Sequence, residues 1–201
     1  LGALATAGTD VITITVNDGA TDDVTAANLS TLGGKTAGVV TVSNAVDISG
    51  TASQLTAALV TADTLVVAGT ATANITDEAT TDIDATVLSA IGAKTSGAIT
   101  VTNAIDIAGT ADEVTAALVT DDTLVVASTA TVTISDNPSI SALNAIAAKT
   151  DGVVTATLAA DSLSNLGALT TAGTDVITIT VNDNAEACLL YTSDAADDLL
   201  C

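Results

Sequence analysis

The chain has 201 residues, with 3 Lys, no Arg and 24 Asp plus Glu, so its formal charge is −21. It contains no His, Met, Trp or Phe and a single Tyr. This inventory excludes His-dependent acid–base catalysis, His metal ligation and aromatic stacking platforms, and it makes nucleic acid and anionic membranes poor partners, because both demand basic contacts. No apolar run reaches the ~18 residues that a membrane span needs.

In chain order, an opening segment, LGALATAGTDVITITVND, returns at 166–183 with one change, Ala5 against Thr170. Between them, residues 35–80 recur 59 positions later, and Asp18, Asp77 and Asp136 keep that 59-residue spacing. Asp183 follows Asp136 after only 47 residues, so the third repeat is shortened. Each 59-residue unit divides into two similar halves. Helical segments are expected to centre near positions 27, 56, 86, 115, 144 and 166, evenly spaced apart from the shortened last step. Repeats of this size identify stacked supersecondary units.

The first strand signal is ITITVND, in which Ile12, Ile14 and Val16 alternate with Thr13, Thr15 and Asn17. Val40/Val42, Val46/Ile48, Ile99/Val101, Ile105/Ile107, Val132/Ile134 and Ile177/Ile179/Val181 alternate likewise, and Asp47 and Asp106 point outward. VSNAV at 42–46 carries a Ser-Asn centre that suits either a corner or a tight turn. The runs TLVVA at 64–68 and 123–127 are continuously apolar, which predicts cover on both faces.

Helix signals intervene. Thr51-x-x-Gln54 and Thr110-x-x-Glu113 fit the capping box. Ile83, Val87, Leu88 and Ile91 share a helical face, as do Ile140, Leu143, Ile146 and Ala147, and Pro138 fits a first helical position. Lys35-x-x-Gly38, Lys94-x-x-Gly97 and Lys149-x-x-Gly152 read as helix ends, with Lys against the dipole and Gly in a left-handed C′ conformation.

The predicted fold is therefore an α/β solenoid of stacked helix–strand–strand coils of about 30 residues, parallel β-helix-like with one helical side, over residues 1–187. Its narrow interior explains the missing aromatics. With a start at Leu1 and no Met, the chain is expected to be a fragment of a longer array.

Candidate sites are few. Asp18, Asp77, Asp136 and Asp183 recur at strand-to-helix corners, with Asp22, Asp23, Glu78, Asp82 and Asp84 nearby. Hard oxygen ligands suit Ca²⁺, yet Asx turns and N-caps account for Asp at the same places. The pairs Asp22–Asp23, Asp82–Asp84 and Asp121–Asp122 could in principle act as glycosidase carboxylates, as in polysaccharide-cutting β-helices. The T-x-T pairs Thr13/Thr15, Thr100/Thr102, Thr131/Thr133, Thr155/Thr157 and Thr178/Thr180 resemble the ladders of ice-binding β-helices, but they fall in different strands of the repeat. The reading assigns no catalytic, cofactor-binding or metal residue and no cofactor, with Ca²⁺ left open.

The unit GTA-x-x-[LV]-TAALVT-x-D and the recurring K-T-x-G resemble the Ala/Thr/Val/Asp-rich tandem repeats of very large bacterial surface or secreted proteins from marine bacteria. The resemblance implies an extracellular or cell-surface location and a structural spacer role in an adhesin-like or surface-layer protein. Its partners would be neighbouring repeats of the same chain, with Ca²⁺ or cell-surface polysaccharide as further candidates and neither nucleic acid nor a membrane span. Residues 188–201, CLLYTSDAADDLLC, match no repeat position and resemble translated sequencing-adapter read-through. They are expected to be a non-native or disordered tail.

Overall fold

The computed structural model describes residues 4–64 and 66–182. Asp183 and the 188–201 tail lie outside the described residues.

The chain begins with β1 (Ile14–Val16), β2 (Asp23–Thr25) and α1 (Ala26–Gly33). It continues through β3 (Val40–Val42), β4 (Asp47–Gly50) and α2 (Ala52–Leu55), which runs on as a π-helical turn (Thr56–Val60). Next come β5 (Val66–Val67), β6 (Thr72–Ile75), β7 (Asp82–Asp84) and α3 (Ala85–Gly92). The remainder is β8 (Ile99–Val101), β9 (Asp106–Gly109), α4 (Ala111–Leu118), β10 (Val125–Val126), β11 (Thr131–Ile134), α5 (Ile140–Ala147), β12 (Val154–Thr157), α6 (Leu163–Leu166) and β13 (Val176–Thr178).

The strands form three sheets: A, in the order β1-β3-β5; B, in the order β10-β8-β6-β4-β2; and C, in the order β13-β12-β11-β9-β7. Every pairing among these strands is parallel. Partners come from successive passes of the chain, as in Ile14↔Val40 and Thr155↔Val176. Parallel pairing forces a crossover between successive strands of a sheet, and helices or turns supply it. β3 and β4 belong to different sheets, so the Ser43-Asn44 corner between them is not a hairpin. The architecture is thus α/β, with parallel sheets, interleaved helices and, among the described residues, no closed barrel.

All six expected helical segments occur, but not at even spacing. They start at residues 26, 52, 85, 111, 140 and 163, so the steps are 26, 33, 26, 29 and 23. The longest step holds a third strand, β7, where two strands precede each of α1, α2, α4 and α5 and one precedes α6. This moves the chain from sheets A and B to sheets B and C. Ile83 lies in β7, with 6% exposure, and not on the face of α3. β2 and β7 are three-residue strands, DVT and DID, whose acids favour no strand, so only pairing with β4 and β9 creates them.

Aliphatic residues from nearly the whole described chain, Ala26 to Leu166, form one core. Leu55, Ile75, Leu88, Ile99, Ile107 and Leu143 are among its fully buried side chains. Burying each contributes roughly 1.5–3 kcal/mol against the entropy of ordering the chain. The TLVVA segments are covered on one face only: Val66 and Val125 are buried, while Val67 and Val126 are exposed.

Both predicted capping boxes form, at Thr51/Gln54 and Thr110/Glu113. Pro138 precedes the Ser139 N-cap of α5 and so lies outside the helix.

The K-T-x-G segments do follow the ends of α1, α3 and α5, but their glycines do not supply the expected left-handed cap. Helix C-caps are Gly34, Ala93 and Ala148 in right-handed geometry, and no described Gly has a positive φ. Lys35, Lys94 and Lys149 come directly after these caps. The Gly residues permit close approach instead: a Cβ on Gly38, Gly97 or Gly152 would collide with the carbonyl of Ile12, Ala71 or Ala130. The Thr hydroxyls complete the junction. Thr36 Oγ1 donates toward the carbonyls of Asp10 (2.9 Å) and Ile12 (2.7 Å) and accepts from the N–H of Ile12 (2.9 Å) and Gly38 (2.8 Å). Thr95 bonds the Ala71 carbonyl (2.5 Å) and the Gly97 N–H (3.0 Å), and Thr150 bonds the Ala130 carbonyl (2.5 Å) and the Gly152 N–H (3.0 Å). K-T-x-G is therefore a clamp between one unit and the unit before it.

Candidate functional site

The corner aspartates act across units. Asp77 Oδ2 accepts the Ala52 N–H at 2.6 Å, and Asp136 Oδ1 accepts the Ala111 N–H at 2.8 Å. Each carboxylate meets the positive N-terminus of a helix earlier in the chain, where orphan N–H groups need acceptors. The cap expected from the sequence is present, but it serves the preceding helix and not the one that follows. Asp18, the third member of the set, is exposed, and its carboxylate makes no hydrogen bond among the described residues.

The neighbouring polar groups make further junctions. Asn44 Nδ2 donates to the Asp18 carbonyl (2.6 Å), and Asn103 Nδ2 repeats the bond one period later, to the Asp77 carbonyl (2.7 Å). Asp22 Oδ2 accepts the Gly19 N–H at 2.7 Å. Thr21 and Thr80 adopt left-handed φ values of 72° and 64°. That conformation is unfavourable for a β-branched residue. Their N–H groups reach the carbonyls of Ala45 and Ala104, which holds the turn against the next unit.

Asp23 pairs in register with Asp47, and Asp82 with Asp106, so like charges stand side by side on the outward faces. Asp47 Oδ1 accepts from the Thr72 hydroxyl at 2.9 Å, and Asp106 Oδ1 accepts from Thr131. Asp84 is the N-cap residue of α3 without a side-chain cap bond, Glu78 offers its backbone carbonyl to Thr81, and Asp121 and Asp122 open an exposed 3-10 turn. Among the described residues, no group of three or more acidic side chains is arranged to hold a metal ion.

The outward columns are of mixed composition. Sheet B carries Thr25–Ser49–Asn74–Thr100–Val126 in register, and sheet C carries Asp84–Ala108–Thr133–Thr155–Val176. Strands that occupy different places in the repeat share one sheet here, so the T-x-T pairs are interrupted by other residues and form no uniform ladder among the described residues.

A cavity of about 680 Å³ lies beside α5 and α6, lined by Ile140, Asn144, Leu158, Asp161 and Leu166 among others. Its polar groups already serve the fold. Asn144 bonds the Ala168 carbonyl and the Thr170 N–H, and Asp161 bonds the Ser162 N–H and Asn165 Nδ2. One junction escapes the sequence reading: Asp10 and Asp175 each accept an N–H from earlier in the same turn, from Ala7 (3.0 Å) and Ala172 (2.8 Å). The repeated string TAGTD is its signal.

Among the described residues, no helix is long and apolar enough to cross a membrane. No protein family matches the chain, and neither a curated protein nor a solved structure matches it.

Proposed function

We propose that residues 1–187 are part of a solenoid of stacked coils that serves, without catalysis, as a structural spacer in a large extracellular, adhesin-like or surface-layer protein. The observation that carries this reading is where the repeated polar residues are engaged. The K-T-x-G threonines, the Asp77 and Asp136 carboxylates and the Asn44 and Asn103 amides all bond from one unit to an earlier one. A sequence repeated for binding keeps its polar side chains facing a ligand, whereas these hold neighbours together. The mixed outward columns support the same conclusion, and the resemblance of GTA-x-x-[LV]-TAALVT-x-D to bacterial surface repeats supplies the location.

The test is length. Inserting one further copy of the 59-residue unit adds two helices and their strands. At about 4.8 Å between paired strands, two added coils should lengthen the particle by about 10 Å at constant cross-section. Small-angle scattering reads this directly, and an increase in cross-section instead would defeat the proposal. The in-register Asp23/Asp47 and Asp82/Asp106 pairs favour calcium as the second reading. Thermal midpoints in Ca²⁺ and Mg²⁺ at equal concentration and physiological salt separate the two. Diffuse screening of the −21 charge gives equal midpoints, while a rise in micromolar Ca²⁺ alone establishes specific sites.

A further inference from the structure

The segment at residue 1 returns at residue 166, a shift of 165, and each copy shows one edge of the same strand. In the first copy the bonds run to the following coil. The Thr6 hydroxyl donates to the Lys35 carbonyl (2.7 Å), and Thr36 Oγ1 donates to the carbonyls of Asp10 and Ile12. The Ile14 N–H donates to the Val39 carbonyl (3.0 Å), and the Val16 carbonyl accepts from the Ser43 N–H (3.0 Å). In the second copy the bonds run to the preceding coil. The carbonyls of Thr178 and Thr180 accept from the N–H groups of Leu158 (3.0 Å) and Asp161 (3.1 Å), and the Asn182 N–H donates to the Asp161 carbonyl (2.8 Å). Under the 165-residue shift these three are the equivalents of Thr13, Thr15 and Asn17. One copy therefore uses positions 10, 12, 14 and 16 of the strand, and the other uses 13, 15 and 17. In an extended backbone the N–H and C=O groups of successive residues point to opposite edges. The two sets do not overlap, so one strand can hold both neighbours at once.

We infer that the other edge of 166–183, at Asp175, Ile177, Ile179 and Val181, is an interface for a K-T-x-G coil, and that residues 1–165 form a block that stacks on a copy of itself. Three observations select that partner. From Asp175 to Val181 the edge repeats, without a change, the sequence that Thr36, Gly38 and Val39 grip in the first copy. The side chains covered there, Ile14 and Val16, are half-buried, whereas Ile179 and Val181 are 43% and 51% exposed. A Cβ on Gly8 meets the Gly34 carbonyl of the following coil at 3.0 Å, while one on Gly173 meets nothing within 4 Å, so the same place is open beside the second copy. Any sequence that supplies such a coil directly after Asp183 engages this edge. This deepens the stacked-coil reading and rests on it: the shortened third unit leads back to the strand with which the first unit opens.

The test inserts a second copy of residues 19–183 directly after Asp183 in the full chain, and a second variant inserts residues 19–64 alone. Amide exchange is read at Ile179, with Ile14 and Thr178 as internal references. In the parent, Ile179 should exchange at least about tenfold faster than Ile14, and in both variants it should slow to within about threefold of Ile14. Thr178, already bonded to the preceding coil, should keep its parent rate. Gly38→Val in the inserted copy should restore fast exchange at Ile179 alone. Fast exchange at Ile179 in both variants overturns the inference, and so does protection that survives Gly38→Val. Loss of protection at Ile14 in both variants, the sign of a misfolded chain, also overturns it, because matched edges predict a join as stable as the first. Small-angle scattering on the same chains separates this inference from the spacer reading. Protection at Ile179 without added length upholds the strand junction and defeats the rod, whereas added length without protection does the reverse.

Discussion

Segments 1–18 and 166–183 differ at a single position, Ala5 against Thr170, yet they become different structures. Both form the same local turn, in which Asp10 or Asp175 bonds back to Ala7 or Ala172 through main chain and side chain. Beyond the turn they part. In the first copy the strand is Ile14–Val16, paired forward to β3. In the second it is Val176–Thr178, equivalent to residues 11–13, paired backward to β12, with Val181 in a separate bridge to Asp161. Ile14 and Val16 are half-buried under the Thr36 clamp, while Ile179 and Val181 are 43% and 51% exposed. Local propensity makes the turn, and the partner's register chooses which part of an alternating run becomes strand.

The largest expected effect comes from breaking the clamp that holds only the first copy. Gly38→Ala puts a Cβ into the Ile12 backbone and should destabilise by about 1–3 kcal/mol. Amide exchange should accelerate at Ile14, whose N–H bonds the Val39 carbonyl, and stay unchanged at Thr178. Equal acceleration at both would show that the copies are not independent. Thr36→Val is the next step down. It leaves the Ile12 and Gly38 N–H groups without their acceptor at a site 2% exposed, for a cost of about 1–3 kcal/mol. The same exchange experiment checks it, and a midpoint within a degree of the parent would rule the clamp out.

Asp77→Ala should cost about 1 kcal/mol by removing the acceptor of the Ala52 N–H at the start of α2, whereas Asp18→Ala should cost almost nothing. Paired urea denaturation curves decide this, and matching losses would contradict the cross-unit cap. The smallest effect distinguishes the two copies at one equivalent position. A Cβ at Gly8 meets the Gly34 carbonyl at 3.0 Å, while at Gly173 it meets nothing within 4 Å. Gly173→Ala should stabilise by about 0.5 kcal/mol through the unfolded chain, and Gly8→Ala should gain less or lose slightly. The ranking would fail if Gly8→Ala proved the more stable variant.

Particular residues explain how much is legible in the sequence. The helices are readable because Thr51/Gln54 and Thr110/Glu113 are local devices. Parallel pairing follows from short strands separated by helices. The uneven steps between helices are not legible, because β2 and β7 consist of DVT and DID, and strand character arises there only from β4 and β9 beside them. Ile83 therefore reads like the start of a helical face. Gly38, Gly97 and Gly152 are ambiguous for a different reason: Gly serves both left-handed turns and close approach, and only the position of the facing carbonyl decides between them. The role of Asp77 and Asp136 as caps is evident, but the identity of the helix they cap depends on stacking, which no local pattern encodes.

The hand-over of strands between sheets has a mechanical consequence. Sheet A ends at β5 before sheet C begins at β7, so no hydrogen-bonded ladder runs from one end of the described residues to the other. Under tension, a continuous ladder peels smoothly. A ladder interrupted at such a hand-over should instead yield in packets, of about one 59-residue unit each. Each packet would release about 200 Å of extended chain at roughly 3.5 Å per residue. A pulled array of such units should therefore give a saw-tooth force trace, with each tooth acting as a small fuse that absorbs load before its neighbour opens.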